Sequence, residues 1–117
     1  TQVFKLFYGK IRAKIQKTRK QRFKIKTATA VIGVKGTDFI TEFKDDITKV
    51  GTIEGLVNLM SEKSQESLDI PPGSMSSVSA AGELLPLKEF AGELMDGVEF
   101  AGEKMEANDM AGEKMEM

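Results

Sequence analysis

Five carboxylates between residues 38 and 54 and nine bases between residues 10 and 26 are the groups through which this chain could do chemistry. Asp38, Glu42, Asp45, Asp46 and Glu54 could in principle hold Ca²⁺. The Asp-x-Asp-x-Asp-Gly spacing of a calcium loop is missing, however, so they read as turn and surface residues. Gly33-Val34-Lys35-Gly36-Thr37 is only superficially like a phosphate loop, because the first glycine of that motif is absent and no helical pattern follows. The 117 residues contain neither His nor Cys. That removes the commonest general base, the thiol nucleophile, the thiolate zinc site and the disulfide. No pair of carboxylates has a spacing suited to acid and base work. The expectation is a protein that is not an enzyme, with no cofactor, no metal and no small-molecule substrate.

The bases are the stronger candidate. Lys10, Arg12, Lys14, Lys17, Arg19, Lys20, Arg22, Lys24 and Lys26, joined by Lys35, could grip nucleic acid, lipopolysaccharide, acidic peptidoglycan or a membrane surface, since arrays of phosphate or carboxylate reward clustered cations. They could equally be a solvated strand face that discourages edge pairing. Single-stranded nucleic acid is disfavoured, because it wants exposed aromatics and Phe23 alternates inward. The net charge of −1 conceals a polarity along the chain: residues 1–35 hold eleven bases and no acid, whereas residues 81–117 hold three bases and ten acids. Such a chain can neutralise itself in the fold or meet oppositely charged partners at its two ends.

The elements that must position these groups are strands. Val3 to Tyr8 is apolar enough for one, and Gly9 permits a bulge or bend. Ile11, Ala13 and Ile15 alternate with Lys10, Arg12, Lys14 and Gln16, as do Phe23 and Ile25 with Arg22, Lys24 and Lys26. Residues 10–26 therefore read as an antiparallel hairpin, whose polar loop lacks Gly, Asn and Asp and so is longer than a tight turn. A β-branched run from Thr27 to Val34 reads as strand, a bend at Gly33 and Gly36, then strand from Phe39 to Phe43. Asp45 and Asp46 suit the turn of a second hairpin. Thr48 to Leu59 reads as a strand in which Gly51 and Gly55 mark bulges or corners where another backbone comes close. Gly33, Gly36, Thr37, Asp38 and Gly55 are the expected structural turn residues. No apolar stretch approaches the roughly 20 residues needed to cross a bilayer, and no charged-then-apolar leader opens the chain.

From Ala81 the chain repeats every ten residues, in Ala81-Gly82-Glu83, Ala91-Gly92-Glu93, Ala101-Gly102-Glu103 and Ala111-Gly112-Glu113, with Phe90, Phe100 and Met110 in equivalent places. Ten residues rotate an α-helix by roughly −80°, so no helical stripe keeps these positions together. Three readings stay open: a stacked solenoid with an apolar ladder, short frayed helices opposed by a glycine per unit, or an acidic low-complexity extension.

The order of residues resembles the FecR-type domain, a cell-envelope module. Thr27-Ala28-Thr29-Ala30-Val31-Ile32-Gly33-Val34-Lys35-Gly36-Thr37-Asp38-Phe39 is similar to its Thr-Pro/Ala-x-Ala-x-x-x-Val-Arg-Gly-Thr-x-Phe block, with Lys35 in place of the usual Arg. Ile53-Glu54-Gly55-Leu56-Val57 is similar to its Leu-Glu-Gly-x-Val strand, Pro72-Gly73 to a later turn, and Leu6 to Ile15 to an upstream strand. The resemblance runs over about residues 3–80. It implies a periplasmic or extracellular place in the cell envelope and a role in transmembrane signalling. The chain opens close to the signature, without the earlier strands or membrane anchor of iron-signalling members, so a fragment, a processed product or a short divergent relative is expected.

The sequence thus predicts an all-β fold, a short β-roll or solenoid or a two-layer sandwich of roughly six to eight strands. This is an FecR-like domain over 1–80 with a decapeptide-repeat acidic tail over 81–117. The expected function is non-catalytic binding or scaffolding, the basic face and the Lys35 to Phe39 corner meeting a protein partner or an anionic envelope polymer. The alternative is a structural protein that self-assembles into homo-oligomers through its repeats.

Overall fold

A computed structural model describes residues 2–15, 22–90, 99–100 and 115–116. Alternation of apolar and polar residues produces nine main strands: β1 (Gln2–Leu6), β2 (Gly9–Lys14), β3 (Phe23–Lys26), β4 (Ala30–Val34), β5 (Asp38–Lys44), β6 (Ile47–Glu54), β7 (Val57–Ser61), β8 (Ser67–Ile70) and β9 (Ser74–Val78). Three two-residue strands follow, β10 (Lys88–Glu89), β11 (Glu99–Phe100) and β12 (Met115–Glu116). They form two sheets, in the orders β12-β1-β3-β4-β7-β8 and β10-β9-β6-β5-β2-β11. The all-β expectation holds, with no helix and no closed barrel among the described residues.

The two sheets are the layers of a sandwich because their apolar faces share one core. Phe4, Phe23, Ile25, Ile32 and Leu59 of the first sheet pack in a single cluster with Ala13, Phe39, Val50 and Val78 of the second. Phe4 and Phe23 stack with ring centroids 6.0 Å apart. Burying such side chains is worth about 1.5 to 3 kcal/mol each and holds the layers together.

The chain passes repeatedly between layers. β1 lies in the first sheet, β2 in the second, and β3 returns to lie parallel to β1. The hairpin expected over residues 10–26 is therefore corrected: β2 pairs with β5, and β3 pairs with β1 and β4. Period-two alternation fixes which side of a strand faces the core and leaves its neighbour open. The β5–β6 hairpin forms as expected. Asp45 and Asp46 occupy its two central positions with φ of 54° and 63°, the backbone of a type I′ turn that matches the twist of the flanking strands. The single strand expected from Thr48 to Leu59 is instead two, β6 in the second sheet and β7 in the first, broken at Gly55.

Residues 81–90, the first decapeptide unit, fold back along β9: Leu84 bridges Val78, and Lys88 and Glu89 pair with Met75 and Ser74. Phe90 packs with Ile40, Met75 and Ile53 in a second apolar cluster. Apart from 99–100 and 115–116, the tail beyond residue 90 lies outside the described residues, and with it the choice among solenoid, frayed helices and extension.

Candidate interaction surface

The residues of the signature block hold the crossings between layers. Thr27, at the end of β3, accepts hydrogen bonds through Oγ1 from the amides of Thr29 (3.2 Å) and Ala30 (3.0 Å), closing the turn into β4. The same hydroxyl lies 2.6 Å from Thr48 Oγ1, and Thr29 Oγ1 lies 2.8 Å from it, so the turn is bonded across to β6 in the other layer. At the opposite end, the β4-to-β5 crossing stacks on the β6-to-β7 crossing. Thr37 Oγ1 is 3.0 Å from both the Lys35 and the Leu56 carbonyl oxygens, to which it can donate its one proton, and Ile15 N donates to Thr37 O at 2.7 Å. Gly36, with φ of 57°, turns its carbonyl toward Gly55. Gly33 sits within β4, paired with Lys24 and Asn58, rather than at the bend itself.

These stacked crossings fix an exposed surface. Leu56 is 51% exposed. Lys35 is exposed in the adjoining crossing, and Lys14, also exposed, lies in register with Asp38 at the end of β2. The outcome is an exposed apolar residue and an exposed cation in adjoining crossings, with Lys14 and the exposed Glu54 both in register with Asp38 at the same end, on a backbone held by hydrogen bonds from both layers.

The other candidate bases do not gather on one face. β2 sends Lys10, Arg12 and Lys14 to the outer side of the second sheet, and β3 sends Lys24 and Lys26 to the outer side of the first, so the two sets lie on opposite sides of the sandwich. Arg22 is exposed just before β3. Lys17, Arg19 and Lys20 lie outside the described residues.

Two of the β2 bases are matched by acids on β5. Arg12 Nε and Nη2 donate to the two carboxylate oxygens of Asp38 at 3.0 and 2.8 Å, and Lys10 Nζ lies 3.7 Å from Glu42 Oε2. The hydrogen bond to Asp38, assisted by its charge and partly offset by burial, raises the Arg12 pKa above its ordinary value. A cation whose pKa is raised by folding stabilises the fold at every pH below its unfolded value and loses that contribution only in strong alkali. Arg12 therefore stays charged throughout the range in which the protein would be studied.

The described residues line at least two hollows on the sandwich. One of about 330 Å³ on the outer side of the second sheet is lined by residues including Lys10, Glu42, Lys44, Ile47, Lys49 and Met75. The other, of about 260 Å³, lies at the end of the sandwich by Leu6, Phe7, Ala28 and Phe43, with Lys5, Lys26 and Glu62. Phe7 and Tyr8, read from the sequence as strand, form the β1-to-β2 crossing and are 56% and 55% exposed. Two consecutive aromatics before a glycine cannot both face one core in a period-two strand, which was the available signal. Among the described residues no cluster of three metal-ligating side chains occurs, and no helix is long and apolar enough to cross a membrane.

This two-layer sandwich with hydrogen-bonded crossings defines an all-β module whose signature residues serve the backbone. Residues 1–58 match the family described as FecR protein, and that stretch is a FecR-type domain. The match stops short of residue 80, to which the sequence resemblance extended. No curated protein matches the chain. Two crystal structures of a candidate anti-sigma factor from Parabacteroides distasonis are similar to it, each with a TM-score of 0.60 and 20% identity over 70% of this chain. At that identity the likeness shows the fold alone. The chain covers 39% and 38% of those structures, about two fifths of their length.

Proposed function

We propose that the chain is a non-catalytic regulatory module of the cell envelope that binds a protein partner through its rigid β-surface. The observation that carries this reading is the exposed Leu56 in a crossing that Thr37 ties to the crossing of exposed Lys35, at the end of the sandwich where β2 finishes in Lys14. An exposed apolar side chain near charges can be desolvated at the centre of an interface while the charges stay at its rim, and preordering the corner lowers the entropy lost on docking. The partner surface that fits is apolar at its centre and acidic at its rim. FecR membership of residues 1–58 and the likeness to a candidate anti-sigma factor support a signalling role.

The test uses immobilised full-length chain and cell-envelope protein extract, with retention followed across a salt gradient. Retained protein is expected to elute earlier as salt rises, because the rim charges are exposed and screened. Leu56→Ser combined with Lys14→Glu and Lys35→Glu is expected to abolish retention while leaving the unfolding midpoint within about 0.5 kcal/mol of the parent. Lys24→Glu, on the opposite layer, is expected to leave retention intact. Equal retention by the triple variant, or retention of anionic polymer alone, would overturn the assignment.

A further inference from the structure

We propose that the outer edge of β1, together with the hollow at its end, is a docking site for an extended apolar-acidic strand, and that its occupant is the C-terminal repeat unit of this same chain. Three observations bear on it. The first is backbone pairing: β12 joins β1 antiparallel, with Leu6 opposite Met115 and Lys5 opposite Glu116. The second is the hollow of about 260 Å³ at the shared end of β1 and β3, to which Leu6, Phe7 and Phe43 contribute apolar surface. Phe7 is more than half exposed there.

The third is an electrostatic mismatch. Lys5 and Lys26 stand in direct register on the parallel strands β1 and β3, and both belong to the outer side of the first sheet. Like charges placed opposite one another destabilise a sheet. Glu62 lines the hollow that Lys5 and Lys26 share, and the register of β12 adds a second acidic residue, Glu116, at the position opposite Lys5.

The tail is suited to the role by sequence. Its later units contain Met105-Glu106 and Met115-Glu116, an apolar residue followed by an acid, and the acidic tail is opposite in sign to residues 1–35. An edge strand needs that alternation, since neighbouring positions point to opposite faces of the sheet. The outer edge of β2 takes a tail segment as well, Glu99–Phe100, so the strands that open the chain both receive backbone from the repeats. Strand addition of this kind draws affinity from main-chain hydrogen bonds and selectivity from side-chain hollows. The repeat unit acts here as a strand that covers edges otherwise open to other chains.

Amide hydrogen exchange on the full chain tests the assignment, and it does so independently of any partner. Of the Lys5 and Leu6 amides, the one that faces away from β3 is expected to be protected, to the same degree at low and high protein concentration. In the full-length variant carrying Met115→Pro and Glu116→Pro, whose rings and missing N–H groups break the reciprocal pairing that holds the β12 carbonyls against β1, that protection is expected to fall about tenfold or more. The amides of Ile25 and Ile32 should stay protected and report an intact core. A synthetic peptide of residues 111–117 is expected to restore protection to this variant, less effectively as salt rises. Absence of protection in the parent chain, or protection unchanged in the proline variant, would overturn the proposal. Protection that grows with concentration alongside a dimeric mass would assign the strand to a second copy and overturn the intrachain occupant.

Discussion

Thr37 and Gly55 show how little of the signature is left over for chemistry. A Cβ built on Gly55 would stand 2.8 Å from Gly36 O and 2.9 Å from Thr37 Oγ1, and φ at this position is 89°. Gly55→Ala is therefore expected to cost about 3 kcal/mol, from backbone strain added to a collision with a carbonyl that cannot move freely. Urea denaturation would read it, and a loss under about 1 kcal/mol would show that the crossings are not tightly stacked. Thr52 offers the opposite case. Its side chain is fully buried on β6 and its hydroxyl has no hydrogen-bond partner among the described residues. Thr52→Val keeps the shape and removes a polar group held among apolar neighbours, so the unfolding midpoint should rise, by about 1 kcal/mol in free energy. A destabilised variant would mean that the hydroxyl is satisfied. The order Thr-Ala-Thr-Ala and Lys-Gly-Thr was legible as a family block. The bonds from Thr27 and Thr29 to Thr48 and from Thr37 to Leu56 were not, because they join residues some twenty positions apart and local pattern carries no such information.

The β5–β6 hairpin was readable as an element because its strands alternate and its turn contains two residues that tolerate positive φ. Its second turn position, Asp46, still bears the steric cost of a Cβ in the left-handed region. Asp46→Gly is expected to stabilise the protein by about 0.5 to 1 kcal/mol, the relief of strain exceeding the added freedom of the unfolded chain. Thermal unfolding would detect it as a higher midpoint, and a lower midpoint would indicate that the Asp46 side chain supports the turn. The mistaken 10–26 hairpin shows the limit of the same reasoning. β2 and β3 both alternate cleanly, and both expectations about which residues face the core were right: Ile11, Ala13, Ile15, Phe23 and Ile25 are all buried. What failed was adjacency. The run from Lys17 to Gln21 contains no residue that favours a tight reversal, the local sign that the two strands need not be neighbours. The division of the bases between opposite faces follows directly from that crossing.

For the molecule as a whole, the sequence disclosed class and composition of the core, whereas topology had to come from the structure, since the pairing of β1 with β3, β4 with β7 and β6 with β9 spans many residues each. Pairings this remote in sequence are slow to form, and folding in milliseconds to seconds is the expected range. Each layer is assembled from segments that alternate along the chain with segments of the other. Exchange protection at Ile25 in the first sheet and Ile40 in the second should accordingly be lost at the same urea concentration, as all-or-none unfolding requires. Two separated transitions would contradict this. The lacing has a mechanical side as well. A pull applied to one end of the chain cannot strip a single sheet away, because every few strands the thread dives through to the opposite layer. Load is shared by both sheets until the whole weave gives at once, so tension arriving at one terminus would be conducted across the domain rather than absorbed within it.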